Sequence, residues 1–311
     1  MAQKSHIPDG AVKDFCKNIK LKIKKKKYKD YGPGEEKYFL RDVRQAFDTA
    51  RGDGNNGYIY AKCKELHQSP YVTYNGMKKY QRNKVELADL MFVFTYYLNG
   101  KVVSRQVHLS QSKCVENVTK SHLRWKVNRA QYELLADRPK FELTKTGASK
   151  KHELDGVNSS LFTHSFASNV HRPFFHTGGN LGEMLDKKTN YHNFYYGKNS
   201  PSGARYLYPV TRRTLDQRYG CQFSKGEDVC DLVEDIYSFG KLTKSRSPNK
   251  LQPRSDGGDQ RQSGLSIVNI EVDGDREVVG ETDDLNEEEL TEHLQSRFEE
   301  RTQEGLNFYA L

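Results

Sequence analysis

The 311-residue chain lacks the long apolar runs from which membrane-spanning helices are built. Only 35% of its residues are hydrophobic and its mean hydropathy is −0.88, which indicates one compact core with long polar additions. Its first residues, MAQKSHIPDG, do not contain the apolar segment of a secretory signal peptide. These absences argue against an integral membrane protein and predict a cytoplasmic protein without a membrane partner.

Cysteine is scarce as well. The chain has five cysteines, an odd number, and they are widely scattered without a Cys-x-x-Cys pair. This pattern argues against the disulfide framework of small secreted domains and fits a reducing compartment. The histidines and cysteines beyond residue 170 also lack the repeated spacing of a structural zinc site.

Negative charge is concentrated near the C terminus. Residues 271–304 include 14 acidic and 3 basic residues, so a chain with a net charge of +9 carries +20 outside this segment. So basic a body predicts a polyanionic partner, DNA or RNA. A lysine bias that serves only solubility is the competing interpretation.

Composition divides the chain into four parts. We expect a basic arm over residues 1–30, a folded domain over 31–240, a linker over 241–270, and an acidic tail with an amphipathic helix over 271–311. A tail that docks on the basic body would cover its nucleic-acid surface, and deleting it would then raise affinity for DNA.

The first 30 residues contain ten lysines and three aspartates. Alternation over residues 19–23 allows a short amphipathic strand, and a flexible arm that contacts phosphates is equally compatible. The lysine run also fits a nuclear localisation signal. The expected phosphate contacts in this run are Lys24, Lys25, Lys26 and Lys27.

The most informative stretch is VELADLMFVFTYYLNGKVVSRQVHLSQSK, residues 85–113. Its apolar first half and alternating second half flank Asn99-Gly100, which predicts a β-hairpin because both residues tolerate positive φ. If paired residue numbers sum to 200, Asp89 faces Gln111, and Lys113 joins the same face. A simple two-residue loop gives 199 and moves Asp89 to the other face, so the arrangement requires an odd loop or a bulge.

These three side chains suit metal-assisted phosphate chemistry. A carboxylate and an amide oxygen are hard ligands of the kind Mg²⁺ prefers. A neighbouring lysine can hold a metal-bound water or offset charge on a phosphate. A solvated hairpin end with an ordinary polar cluster is the alternative interpretation.

The pattern Asp89 … Gln111-Ser112-Lys113 resembles the catalytic hairpin of the PD-(D/E)XK, or restriction-endonuclease-like, nucleases, in the variant with glutamine as the second ligand. Ala88 stands where many members have proline, and Gln111 brings no charge. The resemblance implies Asp89, Gln111 and Lys113 as catalytic residues and Mg²⁺ (or Mn²⁺) as the cofactor.

A third acidic ligand comes from the helix predicted over residues 35–50. Glu36 lies on the same helical face as Leu40 and Phe47, which is unusual for a carboxylate without a partner. The resemblance implies that Glu36 joins Asp89 and Gln111 at the metal. A favourable charge at the helix N terminus is the alternative. Glu86 would need a bulge to reach the same face as Asp89.

The order of elements agrees with the αβββαβ core of this superfamily, an α/β (α+β) fold whose mixed central sheet is flanked by helices, with its core at about 31–145 and a polar C-terminal extension. Strands are expected at Tyr58–Leu66 and Tyr71–Tyr74, a helix over 115–137, and a strand at Phe141–Leu143. Residues 51–57 and 144–170 are expected as loops. The basic residues expected on the long helix are Arg124, Lys126 and Arg129. On the same helix, Gln131 is expected at the surface, although the resemblance would allow it to face the site.

These observations predict a metal-dependent endonuclease acting on DNA, or on RNA, in restriction or defence, as a homodimer or with partner subunits. A non-catalytic nucleic-acid-binding protein on a degenerate nuclease scaffold is the alternative. A third possibility is an interaction protein whose acidic tail is the working surface.

Overall fold

The computed structural model describes residues 9–24, 32, 35–54, 57–66, 70–80, 83–98, 100–119, 122–144, 151–154, 157, 161–169, 174–177, 185–187, 191–197, 220–245 and 265–274. The helices in these ranges are α1 (Asp9–Lys24), α2 (Glu36–Phe47), α3 (Arg129–Asp137) and α4 (Asp228–Ser245), with a 3₁₀ turn at Met77–Tyr80. The strands are β1 (Ala50–Gly54), β2 (Gly57–Glu65), β3 (Tyr71–Tyr74), β4 (Val85–Glu86), β5 (Leu90–Leu98), β6 (Lys101–Cys114), β7 (Asn117–Val118), β8 (His122–Asn128), β9 (Phe141–Thr144), β10 (Lys151–His152), β11 (Phe162–Ala167), β12 (Phe174–Thr177), β13 (Leu185–Lys187), β14 (Tyr191–Gly197), β15 (Cys221–Gln222) and β16 (Ser266–Asp273).

The main sheet has the order β1-β2-β16-β5-β6-β11-β12, with β15 beside β6. It is mixed: β16 runs parallel to β5 and β11 runs parallel to β6, while β5 and β6 form an antiparallel hairpin. Two four-stranded sheets, β10-β9-β3-β4 and β13-β14-β8-β7, accompany it.

Both faces of the main sheet are buried. On one face, α1 and α2 pack against residues such as Phe92 and Ile270. On the other face, α3, α4 and the β3–β9 region pack against Met91, Val107 and Ile267. Burial on both faces explains why β5 is apolar along almost its whole length. The chain is therefore a mixed α/β protein with helices on both sides of a mixed sheet, as the sequence predicts.

The hairpin contains the bulge that the sequence argument requires. Near the turn, Tyr97 pairs with Val102, a sum of 199, but Tyr96 pairs with Ser104, so that Val103 is the additional residue. From there the sum is 200, and Met91 pairs with Leu109 as predicted. Gly100 has a φ of +71°, which a hairpin turn requires.

Several local predictions are wrong. The helix expected over 115–137 begins only at Arg129, because residues 122–128 form β8, where Leu123, Trp125 and Val127 are buried in alternation. Trp125 also donates its indole N–H to the Ala167 carbonyl at 2.8 Å. Tertiary packing of alternating apolar residues thus prevails over helix propensity here.

The basic arm and the glycine-rich loop are also different from expectation. Residues 9–24 form helix α1, whose apolar side is buried, rather than a strand or a free arm. Residues 50–54 form β1 against that helix, and a Cβ on Gly52 would lie 2.2 Å from the Ala11 carbonyl oxygen. The glycines of this stretch therefore permit close helix–strand packing instead of marking a loop.

Two strand assignments differ in topology. The strand expected at Phe141–Leu143 exists as β9 but pairs with β3 outside the main sheet. The strand that follows α3 and lies parallel to β6 is β11, within the stretch expected as a loop. In the C-terminal part, α4 extends to Ser245 and β16 lies in the middle of the main sheet, so the expected linker and tail boundaries both cut into ordered elements. The helix expected in the tail lies outside the described residues.

Candidate metal and nuclease site

The far end of the β5–β6 hairpin brings Asp89 and Gln111 together. The Asp89 backbone N–H donates to the Ser110 carbonyl at 3.1 Å, just beyond the last pair of the hairpin ladder, Leu90 with Ser110. Asp89 Oδ2 accepts hydrogen bonds from the Ser112 backbone N–H at 2.7 Å and from Gln111 Nε2. Both residues are buried: the exposed fraction of the surface is 3% for Asp89 and 0% for Gln111. Asp89 and Gln111 are therefore in side-chain contact, although the strand pairing itself ends one residue earlier, at Leu90 and Ser110.

Gln131 extends this contact into a chain of three side chains. Its Nε2 donates to Gln111 Oε1 at 2.5 Å and to the backbone carbonyl of Glu86 at 3.1 Å. Gln131 is only 5% exposed, so the expectation of a surface glutamine is wrong. The available sequence signal was its position three and four residues before Leu134 and Leu135, on the buried side of α3.

Lys113 faces the first turn of α2. Its Nζ lies 3.6 Å from Glu36 Oε2, and the two side chains are 18% and 33% exposed. The backbone N–H of Cys114 also favours the charged form of Glu36. The helix expected at this position therefore delivers its carboxylate to the lysine that the sequence predicts in the site.

Glu86 is a third carboxylate of the same cluster. It lies on β4, which pairs with β3 in a smaller sheet, and the chain leaves strand geometry between it and β5. The regular spacing that would separate Glu86 from Asp89 is thereby broken, although by a change of sheet rather than by a bulge. The negative charge of Glu86 acts on Glu36, Asp89 and Lys113 alike.

Burial and mutual repulsion shift the titration of this cluster. Burial, and then the charge of Glu36, raise the pKa of Asp89 well above its usual range. Burial also raises the pKa of Glu36, against the opposing charge of Lys113. For Lys113, burial by itself would lower the pKa, but the charges of Glu36, Asp89 and Glu86 together raise it. One lysine thus lies among three carboxylates, and an added cation would reduce the repulsion between those carboxylates.

The donor set fits a hard divalent cation in kind, since it offers carboxylate and amide oxygens. Its present contacts are internal: Glu36 faces Lys113, and the Gln111 amide is shared between Gln131 and Asp89. In the ranges that the structure describes, no group of three or more His, Cys, Asp or Glu side chains is arranged to hold a metal ion. Binding by Glu36, Asp89 and Gln111 would therefore require these side chains to exchange partners.

Of the basic residues expected on the long helix, Arg124 and Lys126 are not helical, whereas Arg129 is. Arg124 and Lys126 are on β8, not on a helix, and both pair with Glu116; the Arg124 distance is 3.1 Å. Arg129 is the first residue of α3. Lys24 ends α1, whereas Lys25, Lys26 and Lys27 lie outside the described residues.

Comparisons with known proteins do not assign this chain to a family. A scan against protein-family models and searches of curated proteins and of solved structures find no match to this chain. Among the described helices, none is both long and apolar enough to cross a membrane.

Proposed function

We propose that this chain is a metal-dependent nuclease of the restriction-endonuclease-like class that hydrolyses phosphodiester bonds of DNA. The observation that carries the proposal is the convergence of four side chains at one end of the hairpin: Glu36, Asp89, Gln111 and Lys113. Glu36 lies 77 positions before Lys113 in the sequence. The connection from β6 through α3 to the parallel strand β11 supports the same class. In this reading β11, and not β9, is the last strand of the αβββαβ core.

The residues divide the chemistry between them. Glu36, Asp89 and Gln111 would hold Mg²⁺ or Mn²⁺, which supplies positive charge to the scissile phosphate and lowers the pKa of bound water. The raised pKa of Lys113 keeps its amine protonated at neutral pH. Lys113 would orient the attacking water and offset charge on the phosphate.

Cleavage of labelled DNA in the presence of Mg²⁺ or Mn²⁺ tests the proposal. Asp89→Asn and Lys113→Ala should each lower the rate by about 100-fold or more, as expected for loss of a group that acts on the transition state. Lys140→Ala, which removes one member of an exposed ion pair with Glu153, is the matched control and should retain full activity. Wild-type protein that cuts neither DNA nor RNA with either cation would overturn the assignment.

One observation favours a second candidate, a non-catalytic nucleic-acid-binding protein on a degenerate nuclease scaffold. The Gln111 amide is engaged on both sides, by Asp89 and by Gln131, so that its polar atoms already have partners within the protein. This candidate predicts DNA binding in EDTA that is unchanged in Asp89→Asn. A restriction or defence setting, a cytoplasmic location and a homodimer or partner subunits remain predictions from the resemblance.

A further inference from the structure

The side of α1 that faces away from the main sheet is basic. Lys13, Lys17 and Lys22 are exposed there, together with the apolar side chain of Leu21. Lys13, Lys17 and Leu21 are spaced by four positions each, so they lie along one line on the helix surface. The opposite side of the helix, which includes Phe15, is buried in the core. The four exposed residues form a surface that we call the basic face.

The carboxylates next to the basic face already have partners. Asp14 Oδ2 accepts hydrogen bonds from Asn18 Nδ2 at 3.3 Å and from the Asp53 backbone N–H at 3.4 Å. Asp53 Oδ2 lies 3.9 Å from Arg51 Nε. Over its 16 residues α1 contains five lysines and two aspartates, so a positive charge remains on the helix. The basic face therefore suits an acidic ligand that also brings an apolar side chain to Leu21.

The described part of the chain ends close to the basic face. A Cβ on Gly57 would lie 3.0 Å from the Gly274 Cα. Gly54 is the register partner of Gly57, and a Cβ on Gly54 would lie 2.5 Å from the Ala11 backbone nitrogen. Gly274 is therefore separated from Ala11 by three spacings between neighbouring chains of about 5 Å each, or roughly 15 Å. The rest of the chain continues from this point, beside the first turns of α1.

The chain beyond Gly274 has the complementary composition. Residues 281–292 contain seven acidic and no basic side chains. Three leucines accompany these acids: Leu285, Leu290 and Leu294. Ten residues connect Gly274 to the first leucine, and a chain of that length reaches up to about 33 Å, more than the length of about 24 Å that 16 helical residues have. Residues 281–298, which we call the acidic segment, are therefore within reach of the whole basic face.

We propose that the acidic segment binds the basic face of the same molecule, with its carboxylates against Lys13 and Lys17 and a leucine against Leu21. The covalent connection favours this occupant, because a short tether gives an effective concentration on the order of millimolar. Nucleic acid would contact the lysines but leave Leu21 exposed to water. The inference goes beyond the proposed function, since it requires neither a metal nor cleavage.

Carbodiimide coupling, which joins an amine directly to a carboxylate, tests the inference in the whole chain. Monomeric product is isolated after coupling at low salt, and the joined peptides are identified by mass spectrometry. Carboxylates of the acidic segment should couple to Lys13 or Lys17 at least about fivefold more than to Lys101. This preference should disappear at about 1 M salt, where the screening length is about 3 Å.

Lys101 is a matched control because it is also exposed and also close to Gly274. It lies at the hairpin turn, where it pairs with Leu98. The Gly274 N–H donates to the carbonyl of Tyr97, the residue before Leu98, at 3.2 Å. Coupling of the acidic segment mainly to Lys101, or equally to Lys101 and α1, would overturn the inference, since proximity to Gly274 alone would then explain the product.

Charge reversal on α1 provides a second measurement. The double variant Lys13→Glu with Lys17→Glu should be cut within the acidic segment by a glutamate-specific protease at least about fivefold faster than wild type, because repulsion replaces attraction at two positions. Lys101→Glu with Lys140→Glu changes the net charge equally and should be cut at the wild-type rate. Equal acceleration in both double variants would overturn the inference, because net charge and not the basic face would then control cutting.

A charge swap in the acidic segment tests whether the contact is direct. Asp283→Lys with Asp284→Lys preserves every glutamate at which the protease cuts, and it should accelerate cutting by itself. Combined with the two α1 substitutions, it should restore slower cutting. Because these positions lie outside all the described elements, the swap alone decides if melting curves show that the α1 variant fails to fold. Cutting at the wild-type rate in Asp283→Lys with Asp284→Lys would then overturn the inference.

Nucleic acid is the alternative occupant of the basic face. In fluorescence anisotropy with a labelled oligothymidine in EDTA, Lys13→Ala with Lys17→Ala should bind at least as tightly as wild type, because the acidic segment already occupies these lysines. A loss of oligothymidine affinity, with proteolysis of the acidic segment unchanged, would overturn the inference and assign the face to nucleic acid. None of these measurements involves hydrolysis of DNA, so a protein that never cuts DNA refutes the proposed function and not this inference.

Discussion

The substitution Gln111→Glu tests whether the side chains at the end of the hairpin can bind a divalent cation. In the native chain the Gln111 amide donates to Asp89 and its oxygen accepts from Gln131. A carboxylate at this position keeps the bond from Gln131 but turns the contact with Asp89 into repulsion between two buried acids. The lost bond to a charged group costs about 1.5–3 kcal/mol. A buried charge without its partner raises the cost to about 3–5 kcal/mol.

The assay is the free energy of unfolding in urea, with EDTA and with Mg²⁺ or Mn²⁺. Gln111→Glu should be about 3–5 kcal/mol less stable than wild type in EDTA, and this deficit should increase as pH rises above about 4.3, because the introduced acid has a raised pKa when folded. A cation at about 100 times its Kd should restore about 2.7 kcal/mol.

Gln111→Leu is the control for the lost hydrogen bond. It removes the same donor without adding an acid, so the cation should stabilise it no more than it stabilises wild type. If Gln111→Glu and Gln111→Leu lose equal stability and neither responds to the cation, the reasoning about a cation site is refuted.

Three further predictions concern the scaffold. Burial lowers the pKa of His108 to about 3. This group should make the protein about 2 kcal/mol less stable at pH 5 than at neutral pH, because the unfolded histidine takes up a proton below about pH 6.5 and the folded one does not. In urea unfolding His108→Gln should lack this loss of stability, and an unchanged loss would contradict the assignment. Gln131→Leu leaves Gln111 Oε1 and the Glu86 carbonyl without this donor, which should cost about 1–3 kcal/mol of unfolding free energy; a neutral result would mean that the bonds are unimportant. Gly52→Ala forces a Cβ into the α1 backbone and should cost at least about 1–3 kcal/mol by the same measurement, whereas a melting temperature equal to that of wild type would argue against the close packing.

The hairpin could be predicted because its information is local. Alternation and the Asn-Gly signal define β5 and β6, and the parity of residue numbers brings Asp89, Gln111 and Lys113 to one face. An odd loop or a bulge is also predicted, because Asp89 faces Gln111 only if the numbers of paired residues sum to 200 and not to 199. Glu36 could be placed on its helical face for the same reason, because helical periodicity is read from a short window.

What could not be predicted depends on distant partners. Residues 122–128 contain no glycine or proline and continue into a helix. Partners distant in sequence make them a strand: they pair with β14, and Trp125 contacts Phe166 and Phe194. β11, FTHSFA, includes polar residues that look solvent-exposed, yet Ser165 Oγ lies 2.6 Å from Ser110 Oγ of β6 in the buried interior. Such polar pairs are visible only when both strands are known.

Because β16 lies in the middle of the main sheet, the sheet cannot be completed until the C-terminal part of the chain has been synthesised. Tyr97 and Glu271, 174 positions apart, are hydrogen-bonded, so β2 and β5 lack a neighbour until synthesis has passed residue 273. During that interval each presents an open edge to other nascent chains, and the long separation slows closure. Truncations meant to remove the acidic tail should therefore begin after Gly274, since an earlier stop would yield an aggregate in place of a deregulated protein.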